Sequence, residues 1–274
     1  MSYVSTLSPQ AKENIKLLVA EAKKQGINNP ISIAGMLAVI SKESGFIPKS
    51  ENLNYSAEGL QKNFNLSNSK ANELQRKPEA IANYVYGAKP HGKRELRDAY
   101  GNSNPNDGWK YRGRGFNQLT FKGGYENYKD TAGVDIVSNP DKLNDPQIAK
   151  KVSVKFFLNG FDSLIKKGKL KSYGNVTDIN DFKDTRNSAL AFYHVNSGTG
   201  NEVEKIKNKA NTDKSGGMFL TLSRVDELLA YVKQIYGDKP SSENGSKSIS
   251  FLGVLLGIAV GALGFILVSN KIVK

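Results

Sequence analysis

Acidic side chains are the first candidates for chemistry in this chain, because thiols are absent and imidazoles are few. The lack of Cys excludes a thiolate zinc site, a cysteine nucleophile and a disulfide scaffold. His91 and His194 are the two histidines, too few for a His-rich metal site. Carboxylates are left as the natural acid and base groups. Glu43 sits in the string Ile40-Ser41-Lys42-Glu43-Ser44-Gly45-Phe46. It follows Met36 and Ile40 at helical spacing, so it continues an apolar stripe. Partial burial and the negative end of a helix dipole both favour the neutral acid there. Such a carboxyl can give a proton to a leaving oxygen. The plainer reading is a solvated helix-end Glu paired with Lys42 or Lys49. Glu51 comes next, and a turn over 45–48 would let the two acids face each other across a groove. A pair of carboxylates about 6.5–9.5 Å apart can hold a water between them. Glu58 is an equal candidate for the second acid on pattern alone.

A third segment runs from Asp107 to Thr120, DGWKYRGRGFNQLT. Gly113 and Gly115 let a backbone approach a ligand closely. Trp109 and Tyr111 offer flat faces for sugar rings. Gln118 and Thr120 alternate around Leu119, which predicts that both point to one side of an extended strand. The Gly-Arg-Gly string also occurs in RNA-binding segments.

The elements that must position these residues read as mostly helical. Ser8-Pro9 and Asn29-Pro30 are helix starts. Ile15, Leu18, Val19 and Ala22 form one helix face, and Ile33, Leu37 and Ile40 another, with Gly45 as a stop. Ile148–Leu158, Asn187–Tyr193 and Leu222–Tyr236 suggest further helices. The stretch from Ser50 to Gly124 is rich in Gly, Asn and Tyr, and its weak periodicity predicts loops.

The C-terminal part differs. Ile249–Val268 carries no charge and, as a helix, would extend about 30 Å, the thickness of a bilayer core. Gly253, Gly257 and Gly261 recur along it as a small-residue stripe suited to self-association. The expected organisation is a catalytic body over 1–236, a flexible linker over 237–248 rich in Pro, Gly and Ser, a membrane span over 249–268 and a short basic tail over 269–274. The 39 basic residues less Lys271 and Lys274, against 26 acidic ones, leave +11 on the body. That charge suits an anionic bacterial envelope. The lysines are dispersed rather than clustered, so nucleic acid is not expected as a partner.

Four strings, AGMLAVISKESGF, ENLNYSAEGL, KPEAIANYVYG and DGWKYRGRGFNQLTFKGGY, resemble glycoside hydrolase family 19, in particular its phage endolysin branch, in the family's order. A fifth, AFYHVNSGTGN, resembles the family's late Asn-Gly-Gly segment. Gly124 stands where the family usually has Asn, His194 where it often has Arg, and Ser197 where it often has a second Gly. The resemblance implies a mostly α, lysozyme-like fold of two lobes around a sugar-binding cleft. It implies hydrolysis of β-1,4 bonds in peptidoglycan or chitin with inversion, and no cofactor or metal. Glu43 matches the general acid and Glu51 the general base. Asn54, Tyr55, Trp109, Tyr111, Arg114, Gln118, Thr120 and Asn196 fall at expected substrate contacts. The expected partners are peptidoglycan glycan strands and, through 249–268, a lipid membrane. The expected location is a virion internal membrane or the host inner membrane.

Overall fold

The computed structural model describes residues 2–236. Among these the chain is mostly helical, and no strand forms; there are two isolated bridges, Ala88 with Arg94 and Arg114 with Leu119. The expected linker, span, tail and glycine stripe lie outside the described residues. No helix among the described residues is long and apolar enough to cross a membrane.

Helix α1 spans Pro9–Lys24 and starts where Ser8 caps it, the Ser8 hydroxyl accepting from the Ala11 N–H. Helix α2, Pro30–Glu43, starts at Asn29. The Asn29 side chain accepts from Ile31 N and donates to the carbonyls of Asn180 and Phe182 at 2.8 and 2.7 Å. One residue thus caps the helix and ties it to a distant loop. Every residue of α2 from Ser32 to Ser41 is buried. A helix apolar on all sides can exist in water only as the centre of a core.

That core is the larger of two. It is built by α1 and α2 with α7 (Lys122–Ala132), α8 (Pro146–Lys166), α9 (Thr185–Ser197) and α11 (Gly217–Tyr236). Phe157, Phe161 and Phe192 pack edge-on and tilted within it, with centroids 5.3 Å (Phe157–Phe192) and 4.6 Å (Phe161–Phe192) apart. The second core is small: Leu53, Leu60, Phe64, Leu66, Ala71, Leu74, Ile81, Ala82 and Val85, with Tyr55, Tyr86 and Trp109 at its edge. Helices α3 (Ala57–Phe64), α4 (Asn68–Leu74) and α5 (Pro78–Tyr86) enclose it; the single-turn α6 (Asp107–Lys110) packs on α5, and α10 (Val203–Thr212) packs on α9.

The stretch 50–124 is therefore not the run of loops its sequence suggests. Its helices are only 8, 7 and 9 residues long, too short for a period of 3.6 to repeat visibly. Ser56 and Ser67 cap the first two. Nor is Gln118 on an extended strand. Its φ is +54°, which breaks the alternation that would have set it beside Thr120 on one face.

The α2–α9 crossing fixes where Glu43 meets the rest of the molecule. It is close because Gly35 faces Ser188 and Phe192. A Cβ at Gly35 would land on the Ser188 hydroxyl and come within 3.0 Å of its backbone carbon. Gly35→Ala is expected to lower stability by about 1–3 kcal/mol through overpacking. Thermal unfolding checks this, and an unchanged Tm would show that the crossing yields freely.

Candidate active site

Glu43 is the last residue of α2. The turn after it is unusual, for Gly45 and Phe46 both have positive φ, +60° and +65°. A Phe in that region is strained. Full burial of its ring, and the Asn14 side chain donating to its carbonyl at 2.8 Å, hold it there. The turn carries the chain from the large core towards the small one.

The Glu43 side chain is only 2% exposed. Its Oε1 accepts from Lys42 Nζ at 2.8 Å and from Asn196 Nδ2, on α9, at 2.9 Å. Both sequence readings are thus realised in part: the acid is buried, and it is paired with Lys42. Lys42 itself packs on the start of α11, where a Cβ at Gly217 would fall 2.5 Å from its Cε. Asn196 is 4% exposed, and its Oδ1 is buried without a hydrogen-bond partner. A buried amide oxygen left open is costly unless something binds there.

Glu51 is held differently. Its backbone N–H donates to the Gly113 carbonyl at 2.8 Å. The Tyr86 hydroxyl lies 2.8 Å from Oε1 and 2.9 Å from Oε2, so one phenol proton spans both oxygens. Burial pushes the Glu51 carboxyl above the ordinary range, against the opposing effects of Tyr86, the Gly113 N–H and the Arg112 charge. Tyr55 lies close enough that its phenol is raised first by burial and then by the Glu51 charge. Gly113 sits between Glu51 and Gln118: a Cβ there would be 3.5 Å from Glu51 Cβ and 3.0 Å from Gln118 Oε1. Gln118 Nε2 donates to the carbonyls of Lys49 and Gly115. The buried Thr120 hydroxyl donates to the Gln118 carbonyl at 2.9 Å.

Glu51, Tyr55, Gln118 and Thr120 are therefore gathered together, and Asn196 joins Glu43. The other candidates lie elsewhere. Tyr111 is 2% exposed, packed on Tyr125 with its hydroxyl on the Val137 carbonyl. Arg114 is 3% exposed and bonds Asp141, Tyr125 and two backbone carbonyls. Both are internal braces of the 107–120 segment and present no open face. Trp109 is half-buried, and the Arg112 guanidinium lies 3.6 Å from its ring centroid, so one stacking face is already covered. Asn54 is exposed, with its carbonyl accepting from Arg76. Glu58 is exposed in the first turn of α3, whereas Glu51 is half-buried.

Sequence reasoning passes over Tyr86 and Arg112. Tyr86 lies in the string KPEAIANYVYG, but an aromatic at a helix end reads as core, and nothing local marks its hydroxyl. His194 is fully buried between the Tyr173 hydroxyl and the Asn201 carbonyl, and burial lowers its pKa to about 4. It stays neutral behind the site. Among the described residues no group of three His, Asp or Glu side chains gathers to hold a metal.

The raised proton affinity of Glu51 has a stability consequence. The folded state holds this proton more tightly than the unfolded chain does. Stability from the group is complete below the ordinary carboxylate range and is lost as pH rises through the folded value. Glu51→Gln removes that loss. The variant's Tm relative to wild type should climb as pH rises above the ordinary carboxylate range. A gap that stays flat across this window would show that burial does not strain the carboxylate.

A Haemophilus influenzae protein described as a glycosyl hydrolase family 19 domain-containing protein is 38% identical to this chain over 133 residues. The match covers 47% of this chain and 62% of that protein's length, so the chain spans less than two thirds of its relative. No family model matches the chain. The likeness supports the family 19 resemblance.

Proposed function

We propose that this chain is a membrane-anchored glycosidase that cleaves β-1,4 bonds of peptidoglycan by a single inverting displacement. Glu43 protonates the glycosidic oxygen, and Glu51 takes a proton from the water that attacks the opposite face of the anomeric carbon. The observation that carries the reading is the contrast between the two carboxyl environments. The Lys42 ammonium and the Asn196 amide meet Glu43 Oε1 at 2.8 and 2.9 Å and hold the acid in place. Burial makes ionised Glu51 the more avid proton acceptor. Gln118, beside Glu51, supports the water and the sugar, and the open Asn196 oxygen beside Glu43 suits an N–H or O–H of the substrate.

The same contrast favours a second reading. Burial raises the proton affinity of Glu51, so in that reading Glu51 is the acid and Glu43 the base. Substrates with activated leaving groups restore a variant lacking the acid, while azide restores one lacking the base. Whichever of Glu43→Gln and Glu51→Gln responds to each reagent fixes the assignment.

The span at 249–268 would anchor the enzyme in a virion internal membrane, to open the wall on entry, or in the host inner membrane during lysis. Its presence in purified particles favours the first; its confinement to infected-cell membranes favours the second.

The decisive assay is digestion of purified peptidoglycan, with chitin alongside, by the full chain in detergent. New reducing ends whose fragments have gained one water support hydrolysis. Anhydro ends would point to a lytic transglycosylase, and the absence of any cleavage to a wall-binding protein. Glu43→Gln and Glu51→Gln should each lose at least about 100-fold in rate. Glu58→Gln should keep it. Near-normal turbidity clearing by either of the first two removes that residue from the mechanism.

A further inference from the structure

We propose that Tyr86 is a positioning residue for Glu51: its hydroxyl, bridging both carboxylate oxygens, fixes the orientation in which that group meets the water. The proposal rests on the glycosidase reading and adds to it a residue from the small lobe.

The geometry is specific. Distances of 2.8 and 2.9 Å to the two oxygens place the phenol on the bisector of the carboxylate, which stops rotation about the last side-chain torsion. The phenol is a dependable donor, since burial and the Glu51 charge both push its own pKa well above the ordinary value. Its place is fixed in turn. Asn102, fully buried, donates to the Tyr86 carbonyl at 3.2 Å and accepts from Lys122 N at 2.9 Å. The Tyr86 ring meets Phe121 edge-on at 5.6 Å. Arg94, bonded to the Val85 and Asp98 carbonyls, places its guanidinium 5.0 Å from the Phe121 ring and 6.0 Å from that of Tyr86. Phe121 has φ +69°, a strained backbone that this packing maintains. Besides the backbone N–H of Gly113, the side chains facing Glu51 are Tyr55, from the chain ahead of α3, and Arg112, from the 107–120 segment. Neither has a hydrogen bond to the Glu51 carboxylate in this arrangement. Tyr86 is thus the side chain that orients it.

Tyr86→Phe removes the oxygen and keeps the ring. Losing a donor to the charged form makes the carboxylate easier to protonate, so the titration midpoint of Glu51 should rise by about one pH unit. Carboxyl-carbon NMR titration of the full chain reads that midpoint whether or not the protein is active. The acid limb of the pH–rate profile should move up with it. Below the new midpoint kcat should fall about tenfold, while KM stays within about twofold. Tyr100→Phe, which takes a hydroxyl from a ring 5.1 Å from Phe121 in the same cluster, should leave midpoint and limb in place. An unmoved midpoint in Tyr86→Phe overturns the proposal, as does an equal shift in Tyr100→Phe, which would mark simple repacking. Failure of the wild type to cleave any glycan overturns the glycosidase function; an active wild type with an unmoved Tyr86→Phe midpoint overturns this inference alone.

Discussion

The burial of α2 on every side, between α9 and α11 above all, is the contact on which the rest of this molecule depends. A wholly apolar helix cannot reach solvent, so its polar end must emerge at a boundary of the core. That end is Lys42-Glu43. The close approach at Gly35 sets how far Asn196 stands from Glu43, and the Asn29 cap keeps the helix from sliding along its axis. One carboxylate is thereby placed by backbone packing, with little left to side-chain freedom.

The other carboxylate is placed by a chain of local constraints. The strained Gly45–Phe46 turn redirects the backbone, the Gly113 carbonyl catches Glu51 N–H, and α5 delivers a phenol to the side chain. The two acids therefore belong to different mechanical bodies, one to a thick core and one to the seam with a thin core. Their surroundings differ for the same reason: an ammonium is hydrogen-bonded to Glu43, while Glu51 is bonded by a neutral hydroxyl and a backbone amide, with the Arg112 charge acting on it without a hydrogen bond. Two identical side chains acquire distinct partners from where the fold leaves them.

Some of this was legible in the sequence. Ser8-Pro9 and Asn29-Pro30 announce helices because capping chemistry is local, and the stripe Met36, Ile40, Glu43 shows a carboxylate drawn towards a core. The small lobe was hidden because its helices are only about two turns long, and their stability comes from mutual packing rather than from a visible period. Tyr111 and Arg114 read as surface groups because aromatic and basic residues beside glycines look alike whether they face a ligand or a core. Only burial separates the two cases: Arg114 is spent on Asp141 and backbone carbonyls. Tyr86 and Arg112 were invisible as partners of Glu51 because each pairing joins segments far apart in the chain.

The small core contains few side chains beside the large one, and its helices hold little beyond one another. Cooperative units of that kind open before the whole domain does, and their amides exchange with solvent first. In the proposed glycosidase such a division lets one side loosen to release a long polymer while the thick core stays closed. Glu51 would then lose its phenol each time the thin side parts, and regain it only when that side closes over a chain.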